Sequence, residues 1–133
     1  MPAITGEFTV KMNPETMSDV AADSGVGRMS LDKRYHGALD AAGKGEMLAY
    51  MDRALMSGAY LALERVEGVL EGRRGSFLLH HTGVMERGAP SLAVSVVPDS
   101  GRDELAGLSG KLNIRIEGGK HYYDFDYALA AVA

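Results

Sequence analysis

The sequence predicts an all-β protein, a small closed antiparallel barrel of about eight strands, and three observations carry that expectation. Short runs in which apolar and polar residues alternate recur along the chain, the signature of strands with one buried face. Seventeen glycines fall mostly at the ends of those runs, where hairpins, bulges and barrel corners use them. No segment of helical length carries a convincing helical period. At 133 residues, 46% hydrophobic and 24% charged, the chain is long and apolar enough for one domain, taken as residues 1–133, with a filled core.

The first strand is Ile4–Val10, with Ile4, Phe8 and Val10 on one side and Thr5, Glu7 and Thr9 on the other. Residues 12–27 lack any period and are rich in Pro, Asp, Ser and Gly, so they are expected to form a long loop and candidate lid. From Arg28 to Leu39, Met29, Leu31, Lys33 and Tyr35 alternate with Arg28, Ser30, Asp32 and Arg34. Gly43-Lys44-Gly45 is expected to turn the chain into a weaker run, Glu46 to Leu55. Over Glu46–Arg65 the Met, Ala and Leu content favours helix on propensity. Gly58 and the alternation of Tyr60, Ala62, Glu64 and Val66 favour strand, and strand is preferred.

Ala59–Leu70 is the next strand, and Glu71–Gly75 its turn. Ser76–Met85 follows, with Phe77, Leu79, His81 and Met85 in one phase. Glu86–Pro90 turns the chain into Leu92–Val97, which Pro98-Asp99-Ser100-Gly101 ends. Leu112, Ile114 and Ile116 alternate with Lys111, Asn113 and Arg115, and Gly118-Gly119 reads as a two-residue hairpin turn. The last strand sets His121, Tyr123, Phe125, Tyr127 and Leu129 against Tyr122, Asp124 and Asp126, the two aspartates reading as a solvated face. Phe8, Leu31, Phe77, Leu79, Leu112, Ile114, Phe125 and Tyr127 are expected to face inward. Strands with one apolar face each lose their exposed edges by closing, and a barrel of this size can hold one small ligand.

Composition excludes several function classes. The formal net charge is −4 and no Lys/Arg run exceeds Arg73-Arg74, which argues against a nucleic-acid partner. The chain has no cysteine, so disulfides and thiolate chemistry are excluded, as suits a reducing cytoplasm. MPAITGEFTV lacks the pattern of a signal peptide and no apolar run reaches membrane-spanning length; a cytoplasmic protein without a membrane partner is expected. His80 and His81 are neighbours on a strand and point to opposite faces. His36 and His121 complete the histidines without HxH or HExxH spacing, so no metal site is expected. Gly43-Lys44-Gly45 and Gly110-Lys111 lack the remainder of a phosphate loop, and Gly107–Gly110 lacks the spacing of a nucleophile elbow. No cofactor is expected.

The candidate chemistry lies in Lys33, Glu64 and His81, which occupy the apolar phase of three separate runs. Charges in such a phase are costly unless paired or hydrogen-bonded, so a cluster of complementary kinds either ties the fold together or does chemistry. Tyr35 and Tyr60 share the phases of Lys33 and Glu64. Desolvation raises a glutamate toward a useful base while a neighbouring ammonium pulls it back. These residues suggest Glu64 as general base, His81 as proton relay, Lys33 setting the charge of the pair, and Tyr35 and Tyr60 orienting a ligand oxygen. The inward phases of the later strands add Phe77, Leu79, His121, Tyr123 and Phe125 as candidate ligand contacts. The competing expectation is a buried salt bridge that only fixes strand register. The eight methionines, Met47, Met51 and Met56 among them, suit an adaptable apolar pocket, plain core or a subunit interface.

The segments GRMSLDKRYHG (27–37), KGEML (44–48), AYLALERVEGVLEGRRGSFLLHHTG (59–83), SVVPDSGRDELAGLSG (95–110) and GKHYYDFDY (119–127) resemble the bacterial family called domain of unknown function 3224. Lys33, Glu64 and His81 stand at motif positions of that family. His80 replaces its usual glutamine before the motif histidine, and Ala38 its usual acidic residue after His-Gly. The resemblance implies a barrel similar to the allene oxide cyclases, relatives in fold that bind hydrophobic substrates inside the barrel, often without cofactors, and commonly oligomerise. Taken with the polar cluster, it implies a cofactor-independent lyase, isomerase or cyclase acting on a small hydrophobic or aromatic molecule. The alternative is a non-catalytic binder of such a ligand. A homo-oligomer is expected on the same grounds.

Overall fold

A computed structural model describes residues 3–130 of the chain; Met1, Pro2 and the last three residues of the 1–133 span lie outside the described residues. Nine strands follow in order: β1 (Ala3–Glu15), β2 (Gly27–Tyr35), β3 (Leu39–Asp52), β4 (Ser57–Leu70), β5 (Arg73–Glu86), β6 (Ala89–Val96), β7 (Arg102–Asp103), β8 (Leu108–Glu117) and β9 (Lys120–Leu129). No described residue is helical. The sheet runs β4-β3-β2-β1-β9-β8-β6-β5, and β4 pairs again with β5, so eight antiparallel strands close into a barrel. The two-residue β7 adds to the edge of β5 at Gly75 and Ser76. Its narrowest seam is β6–β8, a single pairing of Ser95 with Lys111.

The alternating phases set the inside and outside as expected. Phe8, Leu31, Phe77, Leu79, Leu112 and Phe125 are buried, with Ile114 and Tyr127 partly buried against them. Gly118 and Gly119 turn β8 into β9 with positive φ of 59° and 79°, a conformation glycine adopts without a Cβ clash.

Two expectations are corrected. Gly43-Lys44-Gly45 is not a turn but lies inside β3, paired with Lys33-Asp32-Leu31 of β2 and with Val66-Arg65-Glu64 of β4. These glycines serve close approach instead. A Cβ on Gly43 would lie 2.0 Å from Glu64 Oε2, and one on Gly45 would lie 1.9 Å from the Leu63 carbonyl oxygen. The chain reverses at residues 36–38, which puts Leu39 at the start of β3. The loop expected over 12–27 is shorter, 16–26, because β1 continues to Glu15 and pairs Met12 with Leu31 and Pro14 with Met29. The Glu46–Arg65 segment is strand on both sides of a turn at 53–56.

Register divides the interior into two halves. At one end Tyr35, Tyr123, Phe77 and Phe125 pack with Leu39, Leu70, Leu105 and Leu108 into a closed core. Phe77 and Phe125 stack at 5.8 Å, and the Tyr123 hydroxyl donates to the His36 carbonyl at 2.8 Å and accepts from the Leu39 amide at 3.1 Å. The other end, beneath the 16–26, 53–56, 87–88 and 118–119 connections, is open.

The outer surface is also uneven. On β1, β2, β8 and β9 the outward positions carry charges such as Glu7, Lys11, Asp32, Arg34, Arg115 and Asp124. On β3, β4 and β5 they carry Leu48, Tyr50, Leu61, Leu63 and Val84, all exposed. Leu48 lies opposite Leu61, and Ala59 lies between Tyr50 and Val84, so these side chains form one contiguous patch that runs to the open end, where Tyr50, Ala59 and Val84 also border the interior cavity.

Candidate functional site

The open half of the barrel encloses a cavity of about 480 Å³, within the range that small-molecule sites occupy. Its walls are apolar: Phe8, Val10 and Met12 from β1, Leu31 from β2, Met47 and Met51 from β3, Ile114 and Ile116 from β8. Lys33 and His81 line it as well, and Glu64 does not.

These three side chains meet at the level where the cavity ends and the closed core begins. Glu64 comes from β4 and has no exposed surface. Its Oε1 accepts from Lys33 Nζ at 3.1 Å and lies 2.9 Å from His81 Nε2, while Oε2 accepts from the Tyr35 hydroxyl at 2.6 Å. Register explains the convergence. Gly45 of β3 stands directly opposite Glu64, and Gly43 opposite Lys33; neither has a side chain, so Lys33 and Glu64 reach each other across β3. His81 pairs with Ala62 of β4, whose small side chain leaves the imidazole room to reach Glu64, two residues along the same face.

Burial raises the Glu64 carboxyl, but the hydrogen bond from His81, the Lys33 ammonium and the Tyr35 hydroxyl together outweigh it and hold the group below its ordinary range. Glu64 is therefore an anion in the folded protein. Tyr35, buried beside that anion, is pushed well above the ordinary phenol range, first by desolvation and then by the Glu64 charge. In neutral His81, Nε2 facing a carboxylate carries the proton, which leaves the lone pair on Nδ1. No described buried side-chain nitrogen or oxygen lacks a hydrogen-bond partner. Nδ1, which bonds no described residue, is thus reached from the cavity that His81 lines.

The other expected site residues divide by height along the barrel. Tyr60 and His121 line the cavity. The Tyr60 ring lies across Gly83, where a Cβ would come within 2.2 Å of it, and desolvation raises its phenol. The His121 ring sits 5.3 Å from that of Phe8. Tyr35, Phe77, Leu79, Tyr123 and Phe125, expected as ligand contacts, do not line the cavity. They face inward outside the cavity: Phe77, Tyr123 and Phe125 belong to the closed core, Leu79 stands directly opposite Glu64 on the neighbouring strand, and Tyr35 spends its hydroxyl on Glu64. Ala49, Leu92 and Ile116 line the cavity without having been expected there as contacts, and of the methionines expected to suit an apolar pocket, core or interface, Met12, Met47, Met51 and Met85 line it while Met56 does not. The inward phase of Leu92 and Ile116 was readable and their position toward the open end was not, while Met12 fell in the segment expected to be a loop. His80 is exposed on the outer face, as its phase requires. Asp124 is not merely solvated: Arg115 grips it at 2.6 Å and holds its carboxyl below the ordinary range. Among the described residues no three His, Asp or Glu side chains converge as a metal site would need.

A solved structure of a protein of unknown function from Shewanella oneidensis MR-1, of the same family as the sequence resemblance above, superposes with a TM-score of 0.91 at 44% identity over 99% of each chain. Among curated proteins no relative matches. The family described as "Protein of unknown function (DUF3224)" matches residues 4–127, and the chain belongs to it.

Proposed function

We propose that this barrel binds a small hydrophobic molecule in its open half and carries out cofactor-independent acid–base chemistry on it at the Lys33–Glu64–His81 cluster. One observation carries the reading: an apolar cavity of about 480 Å³ ends on an ammonium and an imidazole that share a fully buried carboxylate. The roles differ from those the sequence suggested. Glu64 has no surface toward the cavity, both its oxygens are occupied, and its lowered carboxyl makes it a weak base. His81 is the group that faces the ligand, and Glu64 is the positioning residue that fixes its tautomer.

In the step this supports, His81 Nδ1 takes a proton from a carbon next to a carbonyl, and the C–H electron pair moves into the new carbon–carbon double bond. The carbonyl electrons move onto oxygen, where Lys33 Nζ stabilises the enolate. The imidazolium formed lies against the Glu64 carboxylate. Return of the proton to another carbon gives an isomer, and loss of a leaving group from the enolate gives a lyase product. Tyr60 and His121 are placed to orient the ligand within the cavity.

The second reading is a binder without turnover. Its supporting observation is the same Glu64: a buried carboxylate held by three donors is also what a structural ion pair looks like. Exchange of enolisable protons in deuterated buffer separates the two. Wild-type protein that speeds deuterium uptake into small hydrophobic ketones, with the effect abolished in His81→Ala, supports catalysis. Tight binding with no exchange supports the binder. Self-association belongs to the same proposal, on the support of the apolar outer patch of β3, β4 and β5.

A further inference from the structure

The chain as a whole is acidic, with 18 Asp and Glu against 14 Lys and Arg. Its cavity is the reverse. Not one Asp or Glu lines it, whereas Lys33, His81 and His121 do. The one carboxylate nearby, Glu64, is fully buried beneath the floor, does not line the cavity and already accepts from three donors, so a ligand donor in the cavity does not reach it. Lys33 is in the opposite condition. Its ammonium carries three N–H donors and has a single acceptor among the described residues, Glu64 Oε1 at 3.1 Å. The rest of its surroundings are aromatic: Nζ lies 5.3 Å from the centre of the Phe8 ring and 6.0 Å from that of Tyr35. An ammonium that faces an apolar cavity with two donors uncommitted lacks an acceptor, and the walls provide none with charge.

Resting on the reading of the cavity as a ligand site, we infer that its ligand is an oxygen acid with an apolar body, bound ionised and head-down on Lys33. Carboxylates and phenolates share the required chemistry: an anionic oxygen to accept from one uncommitted Lys33 donor, which leaves the other for the carbonyl oxygen of the proposed step, and a hydrocarbon body to fill walls of Met, Ile, Leu and Phe. A cationic amphiphile would meet Lys33 and find no free carboxylate. A neutral one would leave the Lys33 donors short of a charged acceptor, and charge-assisted hydrogen bonds are the stronger kind. Tyr60, which also lines the cavity, can add a second contact by donating its hydroxyl to the same head.

Calorimetric titration of the full chain with octanoate, octanol and octylamine, matched in chain length and run at neutral pH, reads this directly. Octanoate is expected to bind about tenfold or more tighter than octanol, with octylamine weakest. Octanol binding as tightly as octanoate, or octylamine preferred to both, overturns the anionic head while leaving the cavity reading intact. Binding of none of the three sinks both. Lys33→Met is expected to bring octanoate to the affinity of octanol and to leave octanol nearly unchanged; an equal loss for both counts against a head group on Lys33. Because the wild-type comparison needs no variant, the inference stays testable even if Lys33→Met fails to fold.

Discussion

Replacing Glu64 by Gln tests the cluster at its buried centre. The substitution keeps the shape of the side chain and removes its charge. An amide has one oxygen, so it can accept from Lys33 and His81 at the Oε1 site or from Tyr35 at the Oε2 site, and its NH₂ group must face the rest. The larger loss is electrostatic: Lys33, almost fully buried, is left without its counter-ion. Removing one partner of a buried pair costs about 3–5 kcal/mol, which for a chain of this size lowers the melting temperature by roughly 10–18 °C. The cost should vary with pH in a definite direction. Desolvation raises the Glu64 carboxyl, but His81, Lys33 and Tyr35 together lower it below its unfolded value. The stability contributed by its ionisation is therefore fully present above the ordinary carboxylate range, and it is lost as pH falls through the lowered folded-state value. Thermal or urea unfolding of wild type and Glu64→Gln from neutral pH down to pH about 3 should show a difference that is largest near neutrality and shrinks on acidification. Equal stability at neutral pH, or a gap that widens as pH falls, would refute the assignment of Glu64 as a buried, paired anion.

Three further outcomes follow from the packing. Gly43→Ala brings a Cβ within 2.0 Å of Glu64 Oε2, so it should destabilise by about 1–3 kcal/mol and weaken ligand binding, as followed by urea unfolding and calorimetry. Phe77→Ala empties the closed core and should cost about 3–5 kcal/mol, yet leave ligand affinity within about twofold, because Phe77 does not line the cavity. In solution, light scattering should give a multiple of the 14.2 kDa chain mass, and Leu63→Glu, on the exposed outer face of β4, should shift it to the monomer without lowering the melting temperature of the isolated barrel.

The fold was largely legible because a period of two reports which face a residue takes. Eight alternating runs with glycine-rich ends left a closed barrel as the economical solution, and Phe8, Leu31, Leu79 and Phe125 are where their phase put them. Gly43-Lys44-Gly45 misled because glycine has two uses, turning and close approach, and only the second applies: the Glu64 carboxylate occupies the space a side chain on Gly43 would fill, and the Leu63 carbonyl that of Gly45. The end of β1 was hidden because Asn13 and Pro14 are turn formers by composition but lie in strand when paired with Ser30 and Met29. The same logic governs the site. Phase was enough to bring Lys33, Glu64 and His81 to the interior. Height along the barrel was not readable, since it depends on which residues stand opposite in the closed sheet. Phe77, Leu79, Tyr123 and Phe125 share the inward face with His81 yet lie in the closed half. The direction of the Glu64 shift needed three-dimensional neighbours too, because desolvation and pairing pull oppositely and only the count of donors decides between them.

The central claim is that the open half of the barrel is a ligand site whose floor is the cluster. Its most direct test is an NMR titration of methyl-labelled and histidine-labelled protein with octanol, a ligand that makes no demand on head-group charge. The methyl signals of Met12 and Met47 and the ring signals of His81 are expected to shift together and saturate, while those of Leu70 and Leu105 in the closed half stay fixed. Shifts confined to Leu61 and Leu63 on the outer face, with Met47 and His81 unmoved at saturation, would contradict it.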